Sequence, residues 1–191
     1  MGESWQHPSL GEFVWSPGGR WKKKKPLTDG VAFLLATEQF DPTPPSIAAS
    51  QLAEDVAASR DRYLSGSYDY LWGALCGNHT NHRYEHIESR PPSKDGMVRQ
   101  LSLYELAVRY IPEQTATSAV VNPFTQEAVS VDPPLISRPA FWTVELTFHA
   151  VFEEEHGVAV LWHDNLPISC GFASDVWPPN DYSPTGDRTN G

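Results

Sequence analysis

FWTVELTFHAVFEEEHGVAVLW, residues 141–162, is the stretch on which the fold turns. Trp142, Val144, Leu146, Phe148 and Ala150 recur at a spacing of two, and Thr143, Glu145, Thr147 and His149 fall between them. That period puts apolar side chains on one face of a β-strand and polar ones on the other. The run VAVLW (158–162) repeats the alternation through Val158, Val160 and Trp162. A turn centred on Glu155 would pair Phe152 with Val158, Ala150 with Val160 and Phe148 with Trp162, so that both apolar faces coincide. Gly157 would supply the positive φ that such loops need. Glu153, Glu154 and Glu155 repel one another, and a solvated turn holds three like charges at the lowest cost.

On either side of this hairpin the chain reads as short elements between turns. LGEFVWS (10–16) alternates like a strand and breaks at Ser16-Pro17-Gly18-Gly19; VAFLLATE (31–38) reads as a more buried strand, and the two would form an antiparallel ribbon. Between them lies RWKKKK (20–25), the basic run of an acidic chain, read as a solvated strand or loop with a contact patch as the alternative. Ser46, after a proline-rich break, can cap a helix running to about Leu64, with Ala48, Leu52, Val56 and Tyr63 near one face. YDYLWGALC (68–76) reads as a second helix stopped by Gly77. Residues 77–98 read as loop, and Ser102 would cap a third helix over LYELAVRYI (103–111), closed by Pro112. AVVNPF and AVSV, within 118–140, suggest one strand or an irregular hairpin. Asp164-Asn165 marks a turn before a strand in PISCGF, and the proline-rich residues 175–191 are expected to be loosely held. The expectation is one α+β domain over residues 1–174, with an antiparallel sheet from both ends of the chain and two to three helices between.

The 191 residues are enough for a real core, and 40% hydrophobic residues exclude a disordered or fibrous chain. A formal charge of −10 disfavours nucleic acid and anionic membrane as partners and favours a basic one. The longest apolar run, VAFLLA (31–36), is far shorter than the roughly 20 residues that cross a bilayer. The N-terminal stretch carries no basic and apolar leader pattern, which together with two widely separated cysteines, Cys76 and Cys170, leads to the expectation of a cytoplasmic protein with reduced thiols.

Chemistry has two candidate locations. In the hairpin, Glu154, Glu155, His156 and Gly157 form an acidic turn where a glutamate beside a histidine could act as a general base. Glu145, His149 and His163 share one face of the same hairpin and are a candidate divalent-metal set. In CGNHTNHRYEH (76–86), Cys76, His79, His82 and His86 have zinc-like spacing, although zinc motifs usually separate two ligand pairs by a longer spacer. No catalytic triad, phosphate-binding glycine loop, dinucleotide fingerprint or metalloprotease helix is present in the sequence.

His7, Pro8, Gly11, Trp15 and Trp21 near the start, with Glu155, His156 and Gly157 near the end, resemble a widespread family of bacterial domains of unknown function. That family begins His-Pro-x-Phe-Gly-x-aromatic-x-Trp and ends in an acidic-Glu-His-Gly turn between apolar strands; the middle of this chain, 65–140, diverges from it. The resemblance implies a small cytosolic α+β protein without an agreed catalytic residue, of the kind that acts as an immunity or accessory protein beside a basic toxin. The reading is therefore a non-enzymatic protein-binding module without a cofactor. Its alternative is a zinc-binding protein or metal-dependent enzyme using Cys76, His79, His82 and His86.

Overall fold

The computed structural model describes residues 3–27, 30–76, 90–121, 126–173 and 176–185. Strands β1 (Ser4–His7), β2 (Gly11–Ser16), β3 (Arg20–Lys23) and β4 (Ala32–Leu35) precede helices α1 (Ile47–Ala58), α2 (Arg60–Leu75) and α3 (Lys94–Arg99). Then come β5 (Leu101–Ile111), β6 (Thr117–Val121), β7 (Ala128–Leu135), β8 (Phe141–Ala150), β9 (Glu153–His163) and β10 (Leu166–Phe172). Eight strands make one sheet in the order β1-β2-β3-β4-β5-β8-β9-β10, and β6 pairs with β7 in a separate ribbon. Every pairing in the large sheet is antiparallel except β4 with β5. A parallel neighbour requires a crossover, and the segment carrying the three helices supplies it. The protein is thus α+β, with a large antiparallel-dominated sheet and, among the described residues, three helices.

Four local expectations are corrected. First, residues 10–16 and 31–38 do not pair with each other: β3 lies between them, bonded to both. Arg20–Lys23 of the basic run is therefore an interior strand of the sheet, held there by Trp21, which is buried in the core shared with the helices, while Lys24 and Lys25 are exposed beyond it. Second, 103–111 is strand, not helix. β5 carries a bulge between Leu103 and Glu105. The bulge stretches the spacing of core-facing residues from two to three, so Leu103, Leu106, Ala107 and Tyr110 mimic a helical stripe. Third, the segment read as loop contains α3, whose Ser93 hydroxyl accepts from the Gly96 amide (3.1 Å) and whose fully buried Met97 anchors it. Fourth, the 46–64 and 68–76 helices are instead α1 and α2, meeting at Ser59; Ser46 does cap α1, accepting from the Ala49 amide (3.3 Å).

The β8–β9 hairpin exists, in a different register. Phe148 faces Val158, Leu146 faces Val160 and Val144 faces Trp162, and the chain turns at Val151 and Phe152, so Glu153 already lies opposite Ala150. The shift from the expected register is four residues. An even shift leaves every side chain on its expected face, which is why the core pattern survives it. Residues 154–157 bulge out of the pairing between those two registers. Gly157 closes the bulge at φ +67°, where an added Cβ would lie 2.6 Å from the Phe148 carbonyl oxygen.

One sheet face, with Phe13, Trp21, Phe33, Leu106, Leu146, Phe148 and Val160, packs on Ala53 and Val56 of α1, Tyr63 and Leu71 of α2, and Met97 of α3. The opposite face, polar at Thr143, Glu145 and Thr147, is covered as well: all three are buried there. Ile111, Phe141, Ala159, Leu161 and Ile168 form a second apolar cluster on that side, joined by Val176 from the proline-rich tail. Residues 176–182 act as a strap across it. The Arg109 guanidinium donates to the Val176 carbonyl (3.1 Å), Arg138 to that of Pro179 (3.2 Å), and the Ile136 amide to that of Asn180 (3.1 Å).

Candidate functional site

A cleft of about 460 Å³ opens where β8 begins and β9 ends, beneath α1. Ala48, Gln51, Leu52 and Asp55 line it from α1, at the i, i+3, i+4, i+7 spacing that makes one helical stripe. Tyr63 contributes from α2, Trp142 and Val144 from β8, and Trp162 and His163 from β9. Asp164 and Asn165 close it from the β9–β10 turn, both in the left-handed region (φ +46° and +65°), as a two-residue hairpin loop demands.

The walls are held from behind. Trp162 packs edge-on against Tyr63 with ring centroids 5.1 Å apart, and its indole N–H donates to the Ser67 hydroxyl (2.9 Å). Gly66 makes that approach possible: a Cβ there would lie 2.4 Å from the Trp162 ring. Trp142, half-buried, rests against Tyr110 at 5.1 Å.

The polar groups form a connected set. The Tyr63 hydroxyl lies within hydrogen-bond reach of Asp55 Oδ2 (3.2 Å) and Asn165 Oδ1 (3.3 Å). Arg62, at the rim, donates to the same two oxygens at 3.3 and 2.6 Å. Burial first, and the neighbouring Asp55 carboxylate second, push the Tyr63 phenol above its ordinary value, so it stays protonated. Burial lowers the His163 imidazole, with Asp164 opposing, so it favours the neutral form. His163 Nδ1 lies 2.6 Å from the Tyr182 hydroxyl, which ties the cleft wall to the strap. The described lining thus presents the half-buried Trp142 ring, two carboxylates and neutral donors, with Tyr63 and Trp162 almost fully buried in its wall and one guanidinium at its edge.

Of the described residues singled out from sequence, His163 lines the cleft and the others lie elsewhere. Glu154 and Glu155 are exposed on the β9 bulge, and Glu154 borders a shallower hollow with Arg99, Ser102 and His149. His156 Nδ1 is 3.1 Å from Glu153 Oε1, and its ring sits 5.0 Å from that of Phe172 on β10, so the histidine pins the bulge to the neighbouring strand. Glu145, His149 and His163 share a face but do not converge. Glu145 is paired with Arg109 and accepts from Thr147 (3.3 Å), His149 stacks on Tyr104 at 4.1 Å, and His163 bonds Tyr182. The observed register brings His163 beside Thr143 rather than diagonal to His149, about 20 Å along the strand. Cys76 is the exposed C-cap of α2, whereas His79, His82 and His86 lie outside the described residues. Among the described residues, no group of three histidine, cysteine or acidic side chains is placed to hold a metal ion.

The amino-terminal motif has a local explanation. His7 is buried, and its Nδ1 accepts from the Ser9 and Leu10 amides (both 3.2 Å), closing the β1–β2 turn. Trp15 and Trp21 pack edge-on at 5.4 Å across β2 and β3. Sequence reasoning missed Asp55, Trp142 and Asn165 as site residues because they come from three separate elements and share no spacing signal.

Fold and cleft together define an α+β domain with an aromatic, acid-rimmed pocket beneath one helix. No family model, curated protein or solved structure matches the chain.

Proposed function

We propose that the protein is a non-enzymatic binding module for a basic partner protein, of the immunity or accessory type, and that the cleft beneath α1 receives a cationic group of that partner. The observation that carries the reading is the cleft itself: the half-buried Trp142 ring, backed by the buried Tyr63 and Trp162, beside a rim formed by Asp55 and Asp164, in a chain of net charge −10. Aromatic faces attract cations through their quadrupoles, and an acidic surface accelerates encounter with a basic one.

Tryptophan fluorescence during titration with acetylated tripeptide amides bearing a central lysine, arginine or glutamate tests this. The cationic peptides should bind, more weakly at high salt, and binding should fall several-fold in Asp55→Asn. Equal binding of the glutamate peptide, or binding indifferent to Asp55→Asn, would refute the proposal.

A further inference from the structure

Arg62 is an arginine already seated on the acceptors at the mouth of the cleft. One guanidinium nitrogen donates to both Asp55 Oδ2 (3.3 Å) and Asn165 Oδ1 (2.6 Å), and the guanidinium carbon lies 4.9 Å over the Tyr63 ring. A carboxylate, a carboxamide oxygen and an aromatic face around a planar cation are the elements of a guanidinium site; a compact ammonium can sit over a ring but cannot stack flat on it. Arg62 and Asp55 are each about half exposed, 48% and 51%, so the contact is screened by water and yields readily to a competitor. The cleft is also lined by the half-buried Trp142 and, at its rim, by the Asp164 carboxylate, 82% exposed, neither of which Arg62 contacts in any described bond.

We infer that the cleft recognises an arginine side chain of the basic partner, and that Arg62 is its internal stand-in, occupying Asp55 and Asn165 until the partner's guanidinium displaces it. This rests on the binding reading above. An incoming arginine takes over the two acceptor oxygens and stacks against aromatic wall, while Arg62, anchored only at the rim, swings to solvent. The cleft's specificity for arginine over lysine then comes from the planar guanidinium, which stacks flat on the Trp142 ring while it bonds the acceptors, and its affinity is reduced by whatever Arg62 must give up.

The same fluorescence titration, with the acetylated arginine and lysine tripeptides on wild type, Arg62→Ala and Arg62→Lys, decides it. The wild type should prefer the arginine peptide. Arg62→Lys keeps the charge but loses the planar guanidinium, and should bind the arginine peptide roughly two- to fivefold more tightly than wild type, with Arg62→Ala tighter still. If Arg62→Lys matches wild type and only Arg62→Ala gains, simple charge repulsion explains Arg62 and the stand-in is overturned. Weaker binding in Arg62→Ala would make Arg62 part of the receiving surface and overturn it equally. Cationic peptides binding with no arginine preference would leave the module reading standing and defeat the guanidinium assignment. No cationic peptide bound by any of the three proteins would defeat both.

Discussion

Gly157 and Gly66 show how single positions set this architecture. Gly157 combines a positive φ with a carbonyl oxygen 2.6 Å from where a Cβ would sit. Gly157→Ala should cost on the order of 3 kcal/mol by urea denaturation, since it adds backbone strain to a steric conflict. Gly66→Ala would gain about 1 kcal/mol of helix propensity on an exposed helix. Here it meets the Trp162 ring at 2.4 Å, so a net loss of about 1–3 kcal/mol is expected, and a stabilised variant would contradict the packing. The Arg109–Glu145 pair is buried beneath the strap, at 14% and 5% side-chain exposure. Arg109→Met should cost about 3–5 kcal/mol by leaving a buried carboxylate uncompensated, and Arg109→Met/Glu145→Leu together should recover much of it. At His163, burial lowers the imidazole from its ordinary 6.5, so as pH falls the unfolded chain takes up a proton before the folded one does. The stability this group contributes is complete above 6.5 and declines below it. Urea midpoints measured from neutral to mildly acidic pH should therefore fall less in His163→Gln than in wild type; parallel curves would argue against the burial. His156, which no turn requires, acquires its reason from Glu153 and Phe172, partners three and sixteen positions away.

Among the elements, β5 and the 176–182 strap carry the largest lessons. The alternation that made β8 readable is broken in β5 by one bulge, and a stripe at helical spacing resulted. Local pattern alone cannot separate a bulged strand from a short helix; burial between β4 and β8 decides, because a strand there satisfies backbone groups on both sides. Amides of Leu106, Ala107 and Val108 should accordingly be among the slowest to exchange, near the global unfolding limit, and rapid exchange there would be inconsistent with a central strand. The strap was hidden for another reason. Its prolines exclude regular structure, so its hold on the sheet comes from carbonyls and one phenol that only a folded sheet presents in position. Tyr182→Phe removes the hydroxyl bonded to His163 and should lower stability by about 1 kcal/mol in the same denaturation assay.

At the scale of the whole molecule, the net charge of −10 and the acid-rimmed cleft both support the proposed cationic partner. The binding predicted above should weaken with ionic strength, because complementary charge brings the partners together and salt screens it. No described helix is long and apolar enough to cross a membrane. The α+β class, the β8–β9 hairpin, the Ser46 cap and the Asp164-Asn165 turn were all readable from the chain, since each depends on neighbours within a few residues. The candidate site was not. Asp55, Tyr63, Trp142, Trp162 and Asn165 span more than a hundred positions, and no periodicity links them. By itself the sequence determined which residues prefer helix, strand or turn, and which face of each is apolar, because side-chain period and backbone preference are local properties. Only the tertiary structure decided the hairpin register, the place of β3 inside the sheet, the burial of its second face and the meeting of α1 with the β9–β10 turn. Those follow from how long-range packing distributes apolar area and satisfies backbone groups, a global balance that local preference does not encode.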